Sequence, residues 1–205
     1  EMGRIDSDLM YEIVKDWDWG NSGSEDIYHD PQPRSQGLSF RSNLARLMEQ
    51  LINENKIDKA KDVINIAMTN MPVDYYGFYA FVEPFVDGYY KVGETEKARA
   101  LFEKLKKVYQ EHLEYYANAP LDEQYEKIDD ILSDMQAYRR NIDILIENQD
   151  QDLAESETII FNEYIDKFSQ FVGEEEEEAL EEPILEPNPD LEDSIPLDTM
   201  EAVQD

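Results

Sequence analysis

The chain has 205 residues, enough for one compact domain with tails, and its formal net charge is −31. This acidity argues against a nucleic-acid partner, because phosphate binding depends on a face rich in Lys and Arg. The absence of cysteine excludes disulfides, thiolate metal sites and a cysteine nucleophile. Because no run approaches the roughly 20 apolar residues that span a bilayer, we also expect no direct membrane insertion by these residues.

Residues 1–37 combine a short helical pattern with a segment rich in Gly and Pro. The segment from Gly20 to Ser24, followed by Pro31 and Pro33, predicts an ordered but irregular arm. Because two neighbouring Trp side chains are costly to leave in water, Trp17 or Trp19 is predicted to dock on the body of the protein. The apolar residues that predict the preceding helix are Leu9, Met10, Ile13, Val14 and Trp17.

Residues 38–119 show two pairs of helical patterns, with a turn inside each pair. In the first pair, Asn55 is predicted to end one helix and Asp58 to cap the next. In the second pair, Gly93 suits a left-handed C-cap and Thr95 can cap the helix that follows. Pro84 is expected near the start of its helix, where proline is tolerated. The sequence therefore predicts two helical hairpins.

The two predicted hairpins align with each other as an internal repeat. Sliding one over the other places Ala60 on Ala98, which are 38 residues apart. A two-helix unit of this length resembles the tetratricopeptide repeat, whose period is about 34 residues. The resemblance implies an all-α fold of stacked hairpins, an α-solenoid, with the extra residues lengthening the connection through residues 73–77.

The rest of the chain is interpreted as a pair of capping helices and an acidic tail. Residues 120–173 carry two helical patterns that lack the small residues of the repeat, and a stacked array has to cover its terminal apolar face. Residues 174–205 contain fourteen Asp and Glu, four prolines and no Lys or Arg. Such a segment is predicted to be disordered, because it cannot bury enough apolar surface to offset its ordering entropy.

The sequence contains no pattern that names a reaction. Asp16-Trp17-Asp18 has the Asp-x-Asp form with which many glycosyltransferases hold a metal ion, but in a chain with 49 acidic residues a solvated role is favoured. No pattern in the sequence pairs His29 or His112 with a nucleophile or a second metal ligand. We therefore predict no enzyme activity, no catalytic residue, no bound metal and no cofactor.

The likeness to tetratricopeptide hairpins implies a binding surface. In such hairpins the first helix of each pair lines a concave groove, which would be largely acidic in this chain. A peptide or protein with basic residues is the expected partner, and a solvated acidic face without a partner stays open as the alternative. The positions carried over from the repeat are Glu49, Ile52, Asn53, Glu83, Asp87, Tyr90 and Lys91.

A more specific resemblance covers about residues 5–117. It is carried by Ile5-Asp6 with Leu9-Met10-Tyr11, by the run from Trp17 to Asn21, by Asp26-Ile27-Tyr28 with Asp30, and by the run from Tyr89 to Ala98. Together these motifs resemble the segment after the last membrane span in a family of large bacterial multi-pass proteins related to protein O-mannosyltransferases.

This resemblance implies an accessory region of a membrane-bound glycosyltransferase that uses a lipid-linked sugar. The catalytic residues would lie in a missing N-terminal portion. The present residues would face the periplasm or another extracytoplasmic space and contact acceptor proteins or the rest of the parent protein. The direct start in a patterned stretch also favours a piece of a longer protein. Two alternatives stay open: a free-standing adaptor that binds peptides in the acidic groove, and an acidic mimic that captures a basic protein.

Overall fold

The computed structural model describes residues 5–77 and 79–171, and this part of the chain is helical without any β-strand. The predicted all-α class is confirmed, whereas the predicted disorder of residues 174–205 lies outside the described residues. A single 3₁₀ turn, Tyr79–Phe81, interrupts the α-helices. These are α1 (Ser7–Lys15), α2 (Pro31–Asn53), α3 (Ile57–Asn70), α4 (Val73–Tyr76), α5 (Glu83–Lys91), α6 (Thr95–Ala117), α7 (Leu121–Glu126), α8 (Ile128–Glu147) and α9 (Gln151–Phe168).

Three helical hairpins share one turn geometry. They are the first hairpin (α2 and α3), the second (α5 and α6) and the third (α8 and α9). Each turns on one residue with positive φ, namely Asn55 (58°), Gly93 (79°) and Gln149 (61°). The next N–H then donates to a carbonyl five residues earlier, over 2.8, 2.8 and 2.9 Å respectively. This bond satisfies an otherwise unpaired carbonyl at each helix end, as in a Schellman motif.

The predicted helix caps at Asp58 and Thr95 are wrong. α3 begins at Ile57 after Lys56, and α6 begins at Thr95 after Glu94, so Asp58 and Thr95 already lie in the helices. The cause is the turn itself, because its closing hydrogen bond leaves a single residue between the left-handed residue and the next helix. Neither helix has a side-chain cap at its N-terminus.

A buried alanine recurs five residues after each left-handed residue. Ala60 and Ala98 are fully buried and Ala154 is 4% exposed. The prediction that residues 120–173 lack the small residues of the repeat is therefore wrong at Ala154. Its position is recognisable only after the turn at Gln149 is known, and glutamine is not a usual left-handed residue.

The first helix of each later hairpin packs against both helices of the hairpin before it. α5 contacts both α2 and α3, and α8 contacts both α5 and α6. α5 approaches α2 closely at Gly88, where an added Cβ atom would overlap the Met48 sulfur and force the Met48 side chain to move. The buried apolar residues form one cluster that runs from Tyr11 to Phe171 through all three hairpins.

The irregular arm is shorter than predicted, because residues 31–37 belong to α2. Asp30 caps this helix by accepting a hydrogen bond from the Gln32 N–H at 2.9 Å, and Pro31 occupies the first turn. Proline is well tolerated there, since its missing N–H would be unpaired in any case. The proline that suggested irregular structure therefore marks the start of the first hairpin.

The first of the two C-terminal helical patterns is also divided in the structure. It breaks at Lys127 into the short α7 and the long α8, so Tyr125 lies outside the long helix and is exposed. The second pattern forms the single helix α9. Phe171, which follows the C-terminal end of α9, packs edge-on against Tyr125.

α1 and the arm dock on the first hairpin through polar and aromatic contacts. Tyr11 donates to Asp62 at 2.7 Å, and this hydrogen bond raises the pKa of Tyr11 to about 12. Asp8 accepts from Lys56 and Lys59, both at 2.8 Å. Residues 5–30 therefore form part of the folded body.

Candidate functional site

The three groove positions predicted on the first hairpin lie near the C-terminal end of α2. Glu49 and Asn53 are exposed, and Ile52 is half-buried against the apolar core. Their accessibility follows from helix geometry, since the opposite face of the same turns carries the buried Met48 and Leu51. On this hairpin the predicted surface is open to solvent.

Glu83 does not line an open groove, because it is 7% exposed and the prediction is wrong at this position. Its carboxylate accepts a hydrogen bond from Arg140 Nε at 2.9 Å and another from the Tyr109 hydroxyl at 3.3 Å. Burial and the nearby Glu83 carboxylate raise the pKa of Tyr109. Arg140 belongs to α8, so Glu83 joins the second hairpin to the third.

Asp87 and Tyr90 are likewise engaged by the third hairpin. Asp87 accepts from Asn148 Nδ2 at 3.0 Å and forms an ion pair with Lys91 at 2.6 Å. The Tyr90 hydroxyl donates to Asp150 at 2.6 Å. Of the four positions predicted on the second hairpin, Lys91 is the exposed one.

Asp150 is the centre of this polar contact. Besides the bond from Tyr90, it accepts from Arg99 Nε at 2.8 Å and from Arg99 Nη2 at 2.9 Å. The two Arg99 hydrogen bonds hold the pKa of Asp150 below its usual range, and burial together with the Asp150 carboxylate raises the pKa of Tyr90. The carboxylate of Asp150 therefore stays ionised although it is 7% exposed.

A third buried carboxylate, Glu157, was missed in the sequence. It is 3% exposed and accepts from the Tyr138 hydroxyl at 2.7 Å and from Lys106 Nζ at 2.9 Å. Glu157 stands eight residues after Gln149, the place that Val63 and Leu101 fill in the other two hairpins. The signal that could have identified it is a charged residue at this apolar position of the repeat.

These contacts divide the predicted groove residues into two groups. The group that contacts the third hairpin, Glu83, Asp87 and Tyr90, fixes the third hairpin on the second. The accessible group consists of Glu49, Asn53 and Lys91, with Ile52 half-buried beside them. The groove that the sequence suggested across two hairpins is therefore partly covered by a third.

An aromatic pocket of about 430 Å³ lies where the arm meets α2. The Trp17 and Trp19 rings are 5.4 Å apart, and each meets Phe40 nearly edge-on, at 5.6 and 6.0 Å. The prediction that a Trp side chain docks on the body is confirmed. Met71, Tyr76 and Asp18 also line the pocket.

A further surface cleft, of about 740 Å³, lies between α6, α7 and α9. Its walls carry Glu111, Glu114, Glu123 and Lys107, together with Tyr115, whose hydroxyl donates to Glu123. Glu114 is paired with Lys167 at 2.9 Å. The cleft is therefore an open polar surface in which charged groups are largely engaged with one another.

The two histidines and the Asp-x-Asp pair form no common site. His29 stacks on Tyr75 at 4.9 Å, and His112 contacts Asp134 at 3.0 Å. Asp16 and Asp18 are both exposed, between α1 and α2. Within residues 5–77 and 79–171, no three His, Asp or Glu side chains come together in a way that could hold a metal ion.

Comparison with known proteins gave no match: no protein-family model, no curated protein and no solved structure is significantly similar to this chain. Among the described helices, none combines the length and the apolar character that crossing a bilayer requires. The functional interpretation therefore depends on the surfaces themselves.

Proposed function

We propose that this chain is a non-catalytic interaction module of tetratricopeptide-like hairpins, which binds a protein or peptide along the first helices of its hairpins. The observation that carries the proposal is a row of equivalent positions on α2, α5 and α8. Asn53, Lys91 and Glu147 each lie two residues before the left-handed residue of their hairpin, and all three are exposed. Repeated exposure at one position, on helices that pack side by side, is what an extended binding surface requires.

The charge of this row favours a basic segment as the partner. Glu49, Asp87 and Asp143 occupy a second set of equivalent positions, six residues before the left-handed residue, and all three are acidic. Lys91 offsets Asp87 and Arg139 offsets Asp143, but Glu49 on α2 and Glu147 on α8 add negative charge at the two ends of this surface. Complementary charge mainly raises the rate of association and selects against acidic partners.

Selection of random twelve-residue peptides against the whole chain, followed by fluorescence anisotropy, tests the proposal. The row variant reverses two of these charges, Glu147→Arg in the row and Glu49→Arg in the second set, and should weaken the selected peptides at least tenfold, or about 1.4 kcal/mol. The matched control reverses two exposed charges on second helices, with Asp58→Arg and Glu163→Arg. We expect it to change affinity less than about twofold.

Two results would contradict the proposed function. One is the recovery of no peptide that binds the folded chain above background. The other is an equal loss of affinity in the row variant and in the control variant, which would indicate diffuse attraction to an acidic protein instead of a defined surface.

We further propose that the module is an accessory region of a membrane-bound glycosyltransferase-like protein, attached through an N-terminal portion and facing an extracytoplasmic space. The resemblance of residues 5–117 supports this context. The packing of the arm also supports it, since Tyr11 bonds Asp62 and Trp17 meets Phe40, so the arm and the first hairpin act as one unit.

The complete coding sequence distinguishes this context from its alternative. We expect ten or more apolar segments of about 20 residues each to be encoded upstream of residue 1. A start codon or one signal peptide directly upstream would instead favour a free-standing adaptor that binds peptides in the acidic groove.

A further inference from the structure

The aromatic pocket beside the arm presents three neighbouring aromatic side chains that are partly or largely open to solvent. Phe40 is 42% exposed on α2, and the Trp17 and Trp19 rings are half-buried against it. Grouped aromatic side chains at a surface are costly in water and are enriched where proteins bind partners. Met71, which also lines the pocket, is 1% exposed.

The chemistry of the pocket selects a cation. The faces of Trp and Phe rings carry partial negative charge and attract ammonium or guanidinium groups within about 6 Å. Asp18 adds a carboxylate at the pocket: its Oδ1 accepts a hydrogen bond from the Gly20 N–H at 2.9 Å. Residues 5–30 contain eight Asp and Glu against one Lys, so the surrounding arm repels an acidic ligand.

The Arg41 guanidinium already lies near the Tyr76 ring, so that ring is not open to a second cation. Arg41 sits 5.6 Å from the centroid of Tyr76 and donates to the carbonyl oxygens of Met71 and Gly77. Arg41 is 1% exposed, so it belongs to the folded body. The rings that remain for an incoming cation are therefore Trp17, Trp19 and Phe40.

We propose that this aromatic pocket binds a Lys or Arg side chain from a basic segment of a partner protein, against the exposed surfaces of the Trp17, Trp19 and Phe40 rings and beside Asp18. A volume of about 430 Å³ is sufficient for one long side chain with part of its backbone. The inference rests on the proposed function and names the residue chemistry by which the partner is recognised.

The two Trp residues are the only ones in the chain, which makes the pocket directly observable. We would record the two indole N–H signals of the ¹⁵N-labelled chain by NMR and titrate an acetylated, amidated hexapeptide of alternating glycine and arginine. Both signals should shift and saturate. A peptide with citrulline, the uncharged isostere of arginine, should leave them unchanged, because the attraction depends on the cation.

Matched variants identify the groups that hold the cation. Phe40→Ala should weaken the arginine peptide about tenfold, and Asp18→Asn should weaken it about threefold. Phe81 is 43% exposed and lies outside the pocket, so Phe81→Ala is the control for Phe40→Ala. Asp16→Asn removes an exposed carboxylate two residues from Asp18 and is the control for charge.

Several results would overturn the inference. The first is an equal response to the arginine and citrulline peptides, and the second is an equal loss in Phe40→Ala and Phe81→Ala. A third is binding of the arginine peptide with shifts elsewhere but none in the indole signals. In that third case the proposed interaction function would stand, since the peptides selected against the row of first helices test it separately.

Discussion

The junction between the first and second hairpins is apolar, whereas the junction between the second and third is built from buried polar groups. In the first, Gly88 allows α5 to approach the Met48 side chain closely, and the ion pair of Lys61 with Glu94 lies at the edge. In the second, the carboxylates Glu83, Asp150 and Glu157 accept hydrogen bonds from cations and hydroxyls.

The difference shows that equivalent helices can be joined by two kinds of contact. Apolar contact depends on shape and loses its strength when volume is added or removed. Buried hydrogen bonds to charged groups depend on each partner being present and in the right protonation state, because an unpaired buried charge is costly. The third hairpin should therefore be sensitive to pH and to single polar substitutions, and the first junction should not.

The largest expected effect is at Glu157. Glu157→Leu gives the third hairpin the residue type that the second hairpin has at Leu101, and we expect it to lower the free energy of unfolding by about 3 kcal/mol. The loss arises because Lys106 and the Tyr138 hydroxyl lose their common acceptor. Urea unfolding followed by circular dichroism measures it.

The reason for that loss can be checked by removing the other polar groups as well. Adding Lys106→Met and Tyr138→Phe to Glu157→Leu should restore about half of the lost stability or more, because well-packed apolar replacements of a buried ion pair are often neutral. If the triple variant is less stable than Glu157→Leu alone, the polar contacts of these residues with Glu103 and Gln110 matter more than the Glu157 contact.

A smaller effect is expected at the apolar junction. Gly88→Ala should cost about 2 kcal/mol, because the new methyl group meets the Met48 side chain and overpacking outweighs the gain in helix propensity. In a Met48→Ala background the same substitution should be neutral or stabilising, since it fills part of a cavity. Urea midpoints of the four proteins give the coupling, and additive effects would contradict the close contact.

The smallest expected loss of stability is at Asp150, and this loss depends on pH. Asp150→Asn should cost about 1 kcal/mol at pH 7, reduced by solvent screening because the Arg99 side chain is 46% exposed. The pKa of Asp150 is lowered by Arg99, so its stabilising contribution is present above about pH 4 and is lost as pH falls through the folded pKa.

The free energy of unfolding, measured for the wild type and for Asp150→Asn between pH 3 and pH 7, checks the direction of this pH dependence. The difference in the free energy of unfolding between the two proteins should be constant above about pH 5 and should shrink below about pH 4. Asp152→Asn, which removes an exposed carboxylate from the first turn of α9, is the control and should show little pH dependence. A difference that grows toward acid would contradict the assignment.

Local signals in the sequence were sufficient for much of the fold. Helical periodicity identified the long helices, and Gly93 revealed its turn because glycine adopts positive φ without strain. The equivalent turn at Gln149 gave no such signal, since the packing of the third hairpin imposes its conformation. Pro31 was interpreted as a helix breaker although it begins α2, because proline has the same appearance in a loop and in a first turn.

The candidate surface was less predictable than the fold. Glu49 and Asn53 are exposed, as they lie on the polar face of an amphipathic helix, and their place in a binding groove stays a prediction. Glu83 was placed in the groove although it is buried, because its partner Arg140 is 57 residues away in sequence. A charged residue on a helix is assigned to the solvent-exposed face as long as its tertiary partner is unknown.

The placement of both Trp residues in the arm has a consequence for optical spectroscopy. Intrinsic Trp emission reports on the arm and the start of the first hairpin, whereas the far-ultraviolet circular dichroism signal sums over all helices. If the chain unfolds in one cooperative step, the two curves coincide. If acid releases the third hairpin first, circular dichroism loses amplitude while the fluorescence stays native.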